Sequence, residues 1–347
     1  MSDPWLTLMG LGEDGLPGLP DASRAALAAA EVIFGGPRHL ALVGAGSRGR
    51  EWPVPFDIAP VLALRGRRVV VLASGDPFWF GAGGSLAAAL PATEWRAFPV
   101  AGTFSLAAAR LGWRLEETTC LGLHAAPFER LRAHLAAGWR GICTLRDGAA
   151  VQALAGWLTA QGWGQSRLWV LEALGGPRER IREAHAAGLA LADVLAPVAV
   201  AIEAAGGDGL PGVPGLPEAL FAQDGQITKS PVRALTLAAL APRRGELLWD
   251  LGAGSGSVSV EWARAGGRAE AVECRPDRTA NIRANAAAFG LAHRIAVHDG
   301  RALELLPRLA PPQAIFVGGG FDAALFGALP ARRGWWSTPS RWKPRRC

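Results

Sequence analysis

Glu246-Leu-Leu-Trp-Asp-Leu-Gly-Ala-Gly-Ser-Gly256 carries more of the fold than any other stretch of this chain. An apolar run of strand character enters a turn with glycine at every second position, then leaves into a helical segment, Ser257–Arg264. Glycines let backbone N–H groups approach a ligand closely, and the N-terminus of the following helix favours negative charge. A dinucleotide fingerprint would read G-x-G-x-x-G, and here the third glycine comes one residue early. Glu273 lies about 20 residues beyond the loop, where a carboxylate at a strand end can accept ribose hydroxyls. Asp299-Gly300 closes the strand after that, where the adenine of a nucleoside ligand would lie. Gly252, Ala253, Gly254, Ser255, Gly256, Glu273, Asp299 and Gly300 are therefore the candidate cofactor residues of this half.

Strand-like and helix-like segments alternate outward from this motif, which argues α/β. Downstream come apolar runs at 269–273, 294–298 and 313–317. Upstream, runs at 5–9, 68–72, 141–145, 168–173 and 197–202 read as strands, and Asp21 reads as an N-cap of an Ala-rich helix. Between the two series, residues 206–217 are rich in Gly and Pro and read as a linker. The expected division is a first domain over 1–205, a linker over 206–217, a second domain over 218–330 and an atypical tail over 331–347. A chain of 347 residues suits two domains.

With 50% apolar and 19% charged residues, the chain has material for packed cores. No apolar run approaches a bilayer span and the first residues lack a basic signal-peptide region, so a cytoplasmic protein is expected. The net charge of +6 invites a nucleic-acid reading, but its location argues otherwise. Residues 1–215 carry 18 Arg against 19 acids, residues 216–330 carry 12 basic residues against 11 acids, and the last 17 carry six and none. The excess sits in the tail, so neither a nucleic-acid nor a membrane partner is expected. Cys120, Cys143, Cys274 and Cys347 form no C-x-x-C pair, so neither a metal site nor a disulfide framework is expected.

Gly10-Leu-Gly-Glu-Asp-Gly15 matches G-x-G-x-x-G, yet Pro17 and Pro20 delay the helix that a dinucleotide site would open within the loop. Ser74-Gly-Asp-Pro-Phe-Trp-Phe-Gly81 offers a tight turn, a carboxylate and aromatics able to flank a flat ligand. Val100-Ala-Gly-Thr-Phe-Ser105 is a third small-residue turn before a helix.

In that order the three turns resemble the tetrapyrrole (class III) methylases, which bind S-adenosylmethionine between two α/β lobes. Ala101 departs from the proline common before the glycine. The 246–256 loop with Glu273 and Asp299 resembles Rossmann-like S-adenosylmethionine-dependent methyltransferases. Gly102–Trp113, Leu145-Arg-Asp-Gly148 and Leu171–Ile181 resemble the branch that methylates precorrins, and the segment from Gly215 through Asp224-Gly-Gln-Ile-Thr-Lys229 to Asp250–Gly256 resembles the partner enzyme of the same pathway. The resemblance covers roughly 5–328 and implies an α/β chain. A two-lobed tetrapyrrole methylase domain would precede a Rossmann-like methyltransferase domain that is cut short.

It further implies two S-adenosyl-L-methionine sites, with Gly10, Gly12, Gly75, Asp76, Pro77 and Ser105 serving the first. The implied substrate is a precorrin, methylated at C5 by the first domain. The second would methylate C15 with loss of carbon dioxide from the ring C acetate, in corrin biosynthesis, and a homo-oligomer is expected. Thr228 and Lys229 would cover the cofactor or meet a substrate carboxylate, or serve only as the polar start of a helix at Ser230-Pro231. Lys229, Arg233 and Arg301 are the candidate carboxylate contacts. The alternative from another class is a sensor that binds S-adenosylmethionine or a tetrapyrrole without turnover.

Ala331-Arg-Arg-Gly-Trp-Trp-Ser337 and the residues after it show no periodicity and hold three of the 14 Trp. Read from the third base of the Ala331 codon, plausible codons give a β-branched strand and a helix start. Here Trp335-Trp336 dictates one Val, and the TCA codon taken for Ser337 gives a second. A shifted reading frame is expected, with a second sheet that stops at four strands and leaves the 313–317 strand an unpaired edge.

Overall fold

The computed structural model describes residues 4–330 and, as backbone, Trp335–Ser337. The chain divides into two units: residues up to Ala126 with Ala137–Gly207, and Pro127–Ala136 with Asp208 onward.

In the first unit, β1 (Leu6–Leu11), β2 (Val32–Gly35), β3 (Gly49–Glu51), β4 (Val69–Ser74) and β5 (Trp95–Phe98) form a parallel sheet in the order β3-β2-β4-β1-β5. β1 is buried along its whole length, as a strand covered on both faces must be. Met9 and Leu11 pack to one side with Ile33, Val70 and Leu72, while Leu6 and Leu8 pack to the other with Phe34, Val69 and Val71. A second, mixed sheet joins β6 (Thr119–Gly122), β7 (Arg140–Leu145), β8 (Arg167–Glu172), β9 (Arg180–His185) and β10 (Val198–Glu203) in the order β6-β7-β10-β8-β9.

The second unit holds one parallel sheet of β11 (Leu247–Leu251), β12 (Arg268–Glu273), β13 (Ile295–Asp299), β14 (Ala314–Val317) and β15 (Trp335–Ser337), in the order β13-β12-β11-β14-β15. Leu248 and Phe316 face one core, and Trp249, Leu251, Ile315 and Val317 face the other.

Four expectations need correction. The 206–217 stretch is not a free linker. Leu216 is fully buried, Gly215 N and Leu216 N donate to Glu261 at 2.6 and 3.0 Å, and Arg264 reaches Pro211 O at 2.6 Å. Glycine and proline there shape a segment that packs. The second sheet does not stop at four strands, because Trp335–Ser337 pairs in parallel with Ile315–Val317. The exposed edge of β14 offers backbone donors and acceptors that an extended segment can satisfy. The rest of the tail, 331–334 and 338–347, lies outside the described residues. Asp21 is the first helical residue, preceded by Pro20 at the cap, and it pairs with Arg24 at 2.6 Å. Cys120 and Cys143 are free, whereas Cys274 is disulfide-bonded.

Candidate functional site

In the second unit β11, β12, β13 and β14 all end on the same side, so the glycine turn, Glu273, Asp299 and Gly318–Gly320 gather there. Gly252, Gly254 and Gly256 have φ of +68°, +59° and +71°, a region in which a side chain strains the backbone. Gly252 is also forced by space, since an added Cβ would stand 2.7 Å from Gly319 O. At Gly256 it would meet Ile282 at 2.8 Å, whereas at Gly254 the nearest atom is Gln226 O at 3.8 Å. Open space therefore lies over the middle of the loop.

Glu273 is buried and organises that loop. Its Oε2 accepts from Gly254 N at 2.9 Å, and its Oε1 accepts from Cys274 N and Arg275 N at 2.9 and 3.1 Å. Three backbone donors leave part of a carboxylate's capacity of about four acceptor sites. Asp299 stands beside Glu273 in register at the end of β13, but its exposed carboxylate pairs with Arg283. That contact and one with Thr279 hold its carboxyl below the usual range.

Two residues outside the expected set complete this region. Asp250, the acid in an otherwise apolar strand, is fully buried. Its Oδ2 accepts from Ser259 N and Oγ at 3.1 and 2.6 Å, and its Oδ1 has no partner. Burial pushes its carboxyl up to about 6. Asn285 donates to Ser255 O and Ala222 O and accepts from Ala222 N, tying the loop to the 222 segment. An acid inside Leu-Leu-Trp-Asp-Leu was a readable signal, whereas nothing local marks Asn285.

The basic candidates separate. Arg233 is not a substrate contact: it is fully buried, its Nε pairs with Glu261 at 2.6 Å, and its two other nitrogens bond Thr228 O and Leu216 O. A guanidinium with all three nitrogens engaged inside a core holds the chain and binds no ligand. Thr228 is half-buried, and Lys229 is exposed at the cap of the helix Ser230–Leu240. Arg301 is exposed at the cap of a one-turn helix. A cavity of about 240 Å³ lies among the starts of β11, β12 and β13, at the opposite end from the glycine turn.

In the first unit the three small-residue turns follow β4, β1 and β5, which are neighbours in the sheet. Their glycines touch. A Cβ on Gly10 would lie 1.8 Å from Gly75 O, and one on Gly75 would lie 2.3 Å from Gly102 Cα. Gly75 N donates to Leu11 O at 3.1 Å, and Val100 N donates to Gly75 O at 3.2 Å. Above them opens a cavity of about 950 Å³, whose lining includes Gly12, Gly75, Asp76 and Ser105. Gly10 and Pro77 are buried behind that wall and act as spacers. Asp76 Oδ1 accepts from Phe78 N at 2.8 Å, which shapes its own turn.

A polar cluster missed in the sequence also lines this cavity. Arg38 pairs with Glu13, Arg178 approaches Glu13 at 3.6 Å, and Arg38 Nη2 lies 2.9 Å from both His39 Nε2 and Ser74 Oγ. Burial, and then the Arg38 charge, lower the His39 pKa to about 4, so the ring is neutral at pH 7.

Comparison with known proteins follows this division. Residues 6–190 match the family described as tetrapyrrole (corrin/porphyrin) methylases, and residues 219–333 match the precorrin methyltransferase domain. The chain thus joins two methyltransferase domains, a tetrapyrrole methylase and a precorrin methyltransferase.

It is 46% identical over 326 residues to precorrin-6Y C(5,15)-methyltransferase [decarboxylating] of Sinorhizobium sp, covering 91% of this chain and 79% of that protein. The protein of the same name from Mycobacterium tuberculosis (strain ATCC 25618 / H37Rv) is 39% identical over 94% of this chain and 85% of its own length. A solved C-terminal domain of precorrin-6Y C5,15-methyltransferase from Rhodobacter capsulatus is 61% identical over 33% of this chain and 62% of that chain, with a TM-score of 0.33. The chain belongs to the precorrin-6Y C(5,15)-methyltransferase (decarboxylating) family.

Proposed function

We propose that the chain methylates a precorrin at C5 in its first unit and at C15, with decarboxylation, in its second, each unit holding one S-adenosylmethionine. The two family matches along one chain support a pair of sites. A relative from Pyrobaculum calidifontis named for C(15) methylation and decarboxylation alone matches over 112 residues, which supports two separable activities.

In the second unit the loop fits a nucleoside. There is open space over Gly254, a buried carboxylate with remaining acceptor capacity, and an unpartnered Asp250 Oδ1. Gly252, Ala253, Gly254, Ser255, Gly256 and Glu273 would hold the cofactor there, with Asp299 and Gly300 beside the base and Thr228 and Lys229 at the substrate side. In the first unit Gly12, Gly75, Asp76 and Ser105 would hold it against the cavity wall. Bound in either place, the cofactor supplies an electrophilic methyl group on a sulfonium.

The chain's own part is placement. A meso carbon of an electron-rich reduced tetrapyrrole is already nucleophilic, so orientation outweighs a strong base. Rigid strand ends and backbone-to-backbone glycine contacts provide that orientation. Side-chain carboxylates of such a substrate suit arginine, which binds them bidentately.

The observation that carries this reading is the Glu273–Gly254 contact at the end of adjacent strands. Calorimetry of the full chain with S-adenosylhomocysteine tests it. The parent should bind two equivalents, and Glu273→Ala should weaken one of them by roughly 1–3 kcal/mol and spare the other. Undiminished binding in Glu273→Ala would reject the ribose assignment, and a single equivalent in the parent would reject the pair of sites. The full chain is needed because Pro127–Ala136 belongs to the second unit, so no single cut separates the two.

A further inference from the structure

The first unit's cavity reaches about 950 Å³, at the upper end of the range for one drug-sized ligand. Aromatic side chains open into it: Trp79 is 55% exposed and Phe80 61%, with Trp52 and Phe56 also on the lining. A fold gains little from aromatics in such positions, because most of their apolar surface remains in water.

Phe80 is the sharper case. Its φ is +57°, a left-handed conformation that glycine adopts without strain and a phenylalanine does not. The turn places glycine where space demands it: a Cβ on Gly81 or Gly83 would stand 2.5 or 2.6 Å from Pro77 O. Gly122 leaves room for the Phe80 ring, since a Cβ there would come to 3.3 Å from two ring carbons. At position 80 itself, where the backbone alone would favour glycine, a phenyl ring stands instead. Among the described residues its aromatic neighbour is Phe104, at a centroid distance of 6.1 Å; Trp79 also meets Phe104, at 5.7 Å. The strained turn thus presents two aromatic faces to a cavity whose lining also carries Arg38 and Ser74. A wide macrocycle with carboxylates at its rim matches both kinds of lining: its flat faces stack on aromatics, and carboxylates pair with a guanidinium.

Resting on the reading of the first unit as a tetrapyrrole C-methyltransferase, we propose that Trp79 and Phe80 form the platform on which the macrocycle stacks. On this proposal they determine selectivity for a tetrapyrrole-sized ring and take no part in holding the cofactor.

The test uses the full chain and three variants, Trp79→Ala, Phe80→Gly and Trp79→Phe. Three quantities are read: KM and kcat for C5 methylation of the precorrin substrate, the Kd for S-adenosylhomocysteine, and Tm. Trp79→Ala and Phe80→Gly should each raise KM for the tetrapyrrole by about tenfold and leave the S-adenosylhomocysteine Kd within about twofold. Trp79→Phe should recover most of the KM. Phe80→Gly should melt at or above the parent temperature, since glycine relieves the left-handed strain and the ring that is lost is mostly exposed. The platform is overturned if KM is unchanged, if Kd rises in step with KM, or if Phe80→Gly lowers Tm, which would make the ring a structural one. A parent chain that leaves C5 unmethylated overturns the underlying reading as well. A parent that methylates C5 with variants of unchanged KM overturns the platform alone.

Discussion

In the second unit Gly252, Gly254 and Gly256 lie in one loop that closes on a single carboxylate, Glu273. In the first unit Gly10, Gly75 and Gly102 come from three turns far apart in sequence, and they meet backbone to backbone. The first arrangement is local: positive φ and one strand-end acid build it, and a short motif contains most of it. The second is collective, because each glycine matters through the atom of another turn that fills the place of its missing side chain. Damage should therefore spread differently in the two units.

The largest expected effect concerns the buried pair that anchors the start of the second unit. Arg233→Ala leaves Glu261 charged and unpaired inside the core and frees Thr228 O and Leu216 O, a cost of about 3–5 kcal/mol. Urea unfolding followed separately for each unit by pulse proteolysis should show the loss in the second unit and not in the first. Unchanged stability with a raised substrate KM would restore the original reading of Arg233 as a carboxylate contact.

Glycine replacement probes the contrast directly. Gly10→Ala forces a Cβ into Gly75 O and should destabilise the first unit by about 3 kcal/mol. Gly254→Ala meets open space and bears only the backbone penalty, about 1–2 kcal/mol, while its methyl group intrudes where a ligand would sit. The same proteolysis assay, with calorimetry for S-adenosylhomocysteine, should find the first variant unstable and the second foldable but weak in binding. Equal destabilisation by both would erase the distinction between collective and local construction.

A smaller effect separates the units by pH. His39 has a folded pKa near 4 against an ordinary 6.5, so its contribution is intact above pH 6.5 and is lost as pH falls from 6.5 toward 4. Asp250 has a folded pKa near 6 against 3.8, so it destabilises the folded state above pH 6, and that burden lifts as pH falls from 6 toward 4. Each is worth about 3 kcal/mol across its whole window, of which about 1–2 kcal/mol falls between pH 7 and pH 5. His134 and His293 in the second unit are lowered by burial and oppose Asp250, so variants isolate each term. Between pH 7 and pH 5, His39→Gln should flatten the acid sensitivity of the first unit. Over the same interval Asp250→Asn should remove a stabilising response from the second. Matching pH profiles for parent and variants would refute both assignments.

The sequence carried the strands of the second sheet up to β14 and the helix Ser257–Arg264 almost residue for residue, because long apolar runs between glycine turns have few alternative readings. The strands of the first unit that escaped notice are short or polar. β3 has three residues, and β9 reads Arg-Ile-Arg-Glu-Ala-His at a sheet edge. Edge strands need not be apolar, and β9 is held by side chains that pair with a distant acid, as Arg180 and Arg182 do with the buried Glu172.

By itself, then, the sequence determined two α/β units, the loop from Gly252 to Gly256 with Glu273 as its partner, and the order of the three turns in the first unit. Those features depend on local conformation and on spacing along the chain, and both are written in consecutive residues. Only the tertiary structure decided that Arg233 is a core ion pair, that residues 208–217 pack into the second unit, and that Arg38, His39 and Ser74 share a cavity. A charged side chain's role depends on what surrounds it in space. The same arginine is a surface group, a ligand contact or a buried brace according to which acid, carbonyl or solvent the folded chain brings within about 3 Å of it.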